Sequence, residues 1–97
     1  MNLSNSDIEL MQNYFKTKPV LKAYLFGSYA RNDADEKSDV DILVELDYNK
    51  HIGLGFVQMQ LDLQNLLQKN IDLVSQNGLS KHIAPHINQE KKLFYAK

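Results

Sequence analysis

Apolar positions along the chain change their period several times, and the changes lay out its elements. Ser6-Asp7-Ile8-Glu9 matches a capping box, where a hydroxyl and a carboxylate satisfy the first free donors of a helix. Ile8, Met11 and Phe15 follow at helical spacing, with Leu10 and Tyr14 beside them. Pro19 marks the end of that helix, because its ring disfavours helical geometry in the preceding residue. Val20 to Phe26 is a β-prone run stopped by Gly27. The polar stretch from Arg31 to Ser38 is expected to open as a short helix and close as a loop. In the next strand, Val40, Ile42, Val44 and Leu46 share one face, and Asp39, Asp41, Leu43 and Glu45 point the other way.

A turn-rich connection from Asp47 to Gly53 leads into a long helical segment, Phe56 to Gln68. Phe56, Met59, Leu63, Leu66 and Leu67 form a broad stripe, widened by Val57 and Leu61, which predicts a helix buried on a sheet. Asn70 is expected to close it, before a third strand at Ile71-Asp72-Leu73-Val74-Ser75 and a turn at Gln76-Asn77-Gly78. A last helix is expected from about Ser80, with a local adjustment at Pro85. Leu93-Phe94-Tyr95 fits either an extension of that helix or an edge strand. Alternating helices and strands predict an α/β (α+β) fold: a small mixed β-sheet with helices packed on one face and a site on the other. No repeat, low-complexity segment or internal boundary interrupts residues 1–97, so a single domain is expected.

Composition narrows this picture by exclusion. With 97 residues there is room for one modest core. A formal net charge of −1 argues against strong sequence-independent nucleic-acid binding, which wants a basic excess. The chain has no cysteine, hence no disulfide and no thiolate metal site. Neither a signal peptide nor an apolar run near the ~20 residues of a membrane span is present, so a cytoplasmic location and no membrane partner are expected.

Candidate chemistry centres on Gly27-Ser28-Tyr29-Ala30-Arg31 followed by Ser38-Asp39-Val40-Asp41. Gly27 allows a sharp turn and close approach of a ligand to the main chain. The following N–H groups at a helix start, the Ser28 hydroxyl and the Arg31 guanidinium one turn on suit phosphate. A surface ion pair with Asp33 or Asp35 is the plainer role for Arg31, and Asp33, Asp35 and Glu36 otherwise read as a solvated acidic loop. Asp39 and Asp41, two apart on a strand, project from the same face and repel unless a cation lies between them. Mg²⁺ suits such a pair. Apolar neighbours turn Asp72 to that same face, beside Asp41 if the two strands adjoin. Three carboxylates beside a phosphate cradle describe a two-metal phosphoryl-transfer centre. His82 and His86 have i,i+4 spacing, but without a Glu after His82 a surface role outweighs a metal role.

Gly27-Ser28, ten intervening residues and Asp39-Val40-Asp41 resemble the signature of the polymerase-β-like nucleotidyltransferase superfamily. The short chain, with Leu25 to Arg31 and Ser38 to Val44, resembles its minimal nucleotidyltransferase (MNT) branch, and Asn70-Ile71-Asp72-Leu73-Val74 resembles the family's third-carboxylate strand. The resemblance runs from about Leu21 to Val74. It departs at Asn32, where the family usually has glycine; asparagine tolerates left-handed geometry, so the turn can survive.

The resemblance implies a nucleotidyltransferase fold, two Mg²⁺ ions and ATP as substrate. Asp39 and Asp41 would ligate both metals, Asp72 the catalytic one, and Gly27, Ser28 and Arg31 would hold the phosphates. It further implies an antitoxin that transfers AMP from ATP to a tyrosine hydroxyl of a HEPN ribonuclease toxin, with that helical protein completing a chain too short for its own acceptor domain. Two alternatives stand beside it: an antitoxin that acts by binding alone, and a small-molecule, antibiotic-type nucleotidyltransferase.

Overall fold

The computed structural model describes residues 3–97. Helix α1 spans Asn5–Phe15, and strand β1 spans Val20–Phe26. The single turn α2 is Ser28–Arg31, followed by β2 at Val40–Leu46, α3 at Gly55–Leu67 and β3 at Ile71–Ser75. A 3-10 turn at Gln76–Gly78, helix α4 at Ala84–Glu90 and strand β4 at Lys92–Ala96 complete the order. The sheet runs β3-β2-β1-β4, with β1 antiparallel to β2 and β4, and β2 parallel to β3. It is the mixed sheet that the alternating pattern predicts.

Central position explains the composition of β2. Val40, Ile42 and Val44 are fully buried with Leu46 on the face covered by α1 and α3, where they meet Met11, Phe15, Met59, Leu63 and Leu67. A second, smaller cluster of Tyr24, Phe26, Leu43 and Ile87 lies apart from that core. Ile87 belongs to α4, so the site-bearing face carries a helix over part of its length as well.

Several boundaries differ from the sequence expectation. The N-cap of α1 is Ser4, whose Oγ accepts the Asp7 N–H at 3.0 Å, so the capping box at Ser6 is not used. Starting there lets Leu3 and Ile8, at the staple positions on either side of the cap, both pack on the core. The short helix ends at Arg31 rather than starting there. α3 ends before Asn70, because Gln68 takes the left-handed cap at φ 55°. Its stripe is also narrower than expected. Met59, Leu63 and Leu67 are buried, but Val57, Leu61 and Leu66 are 58%, 47% and 37% exposed. At about 100° per residue, Val57 and Leu61, each two from Met59, lie on the far side of the helix, and Leu66, next to Leu67, lies at the edge of the buried stripe. α4 begins four residues after Ser80 with Pro85 in its first turn, where a missing N–H costs nothing. His82 therefore falls outside the helix, and both histidines are exposed. Leu93-Phe94-Tyr95 forms the edge strand β4. Among the described residues, no helix is long and apolar enough to cross a membrane.

Candidate active site

The site forms where β1 ends beside the start of β2. Gly27 leaves β1 at φ 70°, ψ −152°, a region essentially confined to glycine. A Cβ placed there would meet the Asp41 carboxylate, so any side chain at this position is strained in backbone angle and also displaces that carboxylate. The turn closes when the Ala30 and Arg31 N–H groups donate to the Gly27 carbonyl, at 3.0 and 3.1 Å. At the first two positions of α2, the Ser28 and Tyr29 N–H groups have no intrahelical acceptor. Asn32 takes the left-handed cap at φ 62°, ψ 27°, the geometry that asparagine tolerates best after glycine.

Asp41 and Asp72 are direct partners in the parallel β2–β3 register, and Phe26 is the antiparallel partner of Asp41 on the other side. Strand parity places Asp39 on the face of Asp41, one residue ahead of β2. The carboxylates stand within electrostatic reach: burial, then Asp72, then Asp39 push the Asp41 carboxyl up to about 6, while Arg31 pulls it down. Asp39 and Asp72 are exposed, and Asp41 is half-buried.

Mutual repulsion of this kind is what a bound cation relieves. Among the described residues, no three acidic or imidazole side chains form a ready-made cage. A donor set of paired carboxylates without a cage fits Mg²⁺, which takes one or two carboxylates and fills its octahedron with phosphate oxygens and water. Asp39, Asp41 and Asp72 are the acidic side chains on this face that such an ion would draw on.

Two features escape sequence reading. The loop before Asp39 is ordered: the Asp35 N–H donates to Ser38 Oγ at 2.9 Å, and the Lys37 N–H donates to Asp35 Oδ1 at 2.9 Å. Asp35, grouped above with a solvated acidic loop, thus locks the turn that delivers Asp39; its Asp-x-x-Ser spacing carried that signal. Glu90 is the second. Its Oε1 accepts the Gly27 N–H at 2.8 Å, and its Oε2 lies 3.2 Å from Arg31 Nη1. No local pattern points to it. Arg31 also meets Asp33 at 3.2 Å, so the surface ion pair is present and the guanidinium is turned to carboxylates.

A glycine turn fused to a carboxylate-bearing mixed sheet defines the class as a nucleotidyltransferase. The particular family follows from comparison: residues 9–97 match the family described as polymerase beta, nucleotidyltransferase, and the chain belongs to it. It is 39% identical over 66 residues to the protein adenylyltransferase MntA of Thermococcus cleftensis, covering 68% of this chain and 66% of that one. A solved structure described provisionally as a minimal nucleotidyltransferase superposes with a TM-score of 0.78 at 28% identity, over 90% of this chain and 88% of that one. The structure of a tri-AMPylated Shewanella oneidensis HEPN toxin in complex with its MNT antitoxin gives a TM-score of 0.65 at 22% identity. It covers 96% of this chain and 69% of the matched one.

Proposed function

We propose that this chain is a Mg²⁺-dependent protein adenylyltransferase acting as an antitoxin, which moves AMP from ATP to a tyrosine hydroxyl of a HEPN-type toxin. The observation that carries the reading is the direct pairing of Asp41 with Asp72, with Asp39 on the same face and the Gly27-Ser28 turn against Asp41. The relatives support the acceptor class: one is named a protein adenylyltransferase, and another fold neighbour is an MNT antitoxin bound to an AMPylated HEPN toxin.

In this reading the Ser28 hydroxyl and adjoining N–H groups orient the triphosphate. The tyrosine oxygen attacks the α-phosphorus, the bond from that phosphorus to the bridging oxygen breaks, and pyrophosphate leaves. Asp72 takes the phenolic proton. Asp39, Asp41 and Asp72 would hold Mg²⁺, which supplies charge neutralisation for the attacking and leaving oxygens when bound. Arg31, tied to Glu90 and Asp33, would act by holding the turn rather than by meeting the phosphates.

A toxin-protection assay tests the enzymatic part against neutralisation by binding alone. Cells expressing the HEPN-type toxin of the proposed pair should be rescued by the wild-type chain and lost with Asp39→Asn. Full rescue by Asp39→Asn would establish neutralisation by binding. AMP transfer to an aminoglycoside with no protein partner present would instead favour a small-molecule acceptor.

A further inference from the structure

The turn that orients Ser28 does not hold itself. It is one helical turn of four residues, entered through a glycine-only backbone conformation, and a single turn has little stability of its own. Its position nevertheless has to be tight, because Gly27 sits against the Asp41 carboxylate with no room for a Cβ. What fixes it comes from 63 residues away.

We infer that Glu90 is a positioning residue for nucleotidyl transfer, a clamp whose one carboxylate grips both ends of the Gly27–Arg31 turn and sets Gly27 against Asp41, with Ser28 next in the turn. Oε1 takes the N–H at the entry of the turn, at 2.8 Å, and the guanidinium Nη1 at its exit lies 3.2 Å from Oε2 and 3.4 Å from Oε1. The two grips differ in kind, one on backbone and one on charge. Glu90 is 28% exposed in its side chain, against 59% for Asp33, so its ion pair with Arg31 is the better shielded of the two.

The rest of α4 aims the clamp. Ile87, one turn earlier on the same side of the helix, is buried against Tyr24, Phe26 and Leu43, which run along the site face. Immediately after Glu90, the Lys91 ammonium lies 4.3 Å from the centroid of the Tyr24 ring, and Lys92 then pairs with Leu25 in the sheet. The carboxylate is thus anchored on both sides along the chain, and the C-terminal helix–strand unit becomes part of the nucleotide site. The Gly27 N–H is engaged by Glu90, which leaves the Ser28 hydroxyl and the N–H groups after it to face a phosphate.

The functional half of this inference rests on the proposed role of the turn in holding the triphosphate, so the test has one arm that needs no nucleotide. Amide hydrogen exchange at Gly27 would be measured by NMR in the wild-type chain, Glu90→Ala and Glu90→Gln. AMP-PNP affinity with Mg²⁺ would be measured on the same samples. Glu90→Ala should speed Gly27 exchange by about tenfold or more and raise the AMP-PNP Kd by about tenfold, as loss of a charge-assisted bond implies. Glu90→Gln keeps an acceptor for Gly27 and loses the ionic grip on Arg31. It should hold Gly27 exchange within about threefold of wild type and raise the Kd by about threefold.

A folded Glu90→Ala with unchanged Gly27 exchange overturns the clamp, as does one that loosens Gly27 yet keeps the wild-type Kd. Should Glu90→Ala fail to fold, Glu90→Gln decides: a Kd at or below the wild-type value shows that the carboxylate does not support the nucleotide. A wild-type chain that binds no AMP-PNP contradicts the nucleotide site itself, and Gly27 exchange then judges the clamp alone.

Discussion

At the residue scale, Gly27 and Asp41 constrain each other. Gly27 lies at a positive φ and within contact of the Asp41 carboxylate, so Gly27→Ala should force one of them to move. A displacement of about 1 Å at a reacting centre costs on the order of 100-fold in rate. We expect Gly27→Ala to lose at least about that factor in AMP transfer while staying folded by circular dichroism, whereas near-wild-type activity would mean that the close approach is not needed. Asp41 gives a second test through pH. Its folded pKa is raised to about 6, from an ordinary value of 3.8, first by burial and then by Asp72 and Asp39. The folded state therefore holds this proton more tightly than the unfolded state, and metal-free stability should fall as pH rises from about 4 to 6. Thermal melts in EDTA should show that decline in wild type and a smaller one in Asp41→Asn. Added Mg²⁺ should stabilise the chain more at pH 7 than at pH 5, and an equal gain at both values would remove Asp41 from the metal set. The aspartates were legible in the sequence because strand parity alone puts them on one face. Glu90 was not, since its link to Gly27 spans 63 residues and depends on how α4 docks.

At the element scale, the alternation of β2 and β3 was legible because a period of two leaves little freedom once one face is apolar. Helix faces were less so. The run Phe56 to Leu67 is apolar enough that several stripes are possible, and only packing on the sheet selects Met59, Leu63 and Leu67. Denaturant unfolding of two variants checks that selection. Leu63→Ala, at a fully buried position, should cost about 2–5 kcal/mol. Leu61→Ala, at a 47% exposed one, should cost about 0.5 kcal/mol or less. Comparable losses in both would mean that α3 presents a different face. Termini of helices were the least legible, because Ser4 and Ser6 offer equivalent caps and only the burial of Leu3 and Ile8 separates them.

At the scale of the whole molecule, the sheet divides the labour. One face, under α1 and α3, holds the main core, and the other carries the carboxylates at one end with α4 over Tyr24, Phe26 and Leu43. The candidate groups come from two strands, β2 and β3, and the turn after β1, and they are placed by backbone pairing rather than by long side chains reaching across a cavity. That arrangement leaves Asp39 and Asp72 exposed, as the proposed transfer from a nucleotide to a protein acceptor requires. The proposed chemistry at Asp39, Asp41 and Asp72, beside the Gly27-Ser28 turn, is transfer of AMP to a protein. Its most direct test is intact-mass spectrometry of the HEPN-type toxin of the proposed pair, after incubation with the chain, ATP and Mg²⁺. The account predicts a mass gain of one or more AMP groups on tyrosine with the wild-type chain, abolished by EDTA and by Asp39→Asn; an unmodified partner, or modification that persists undiminished in Asp39→Asn, would contradict it.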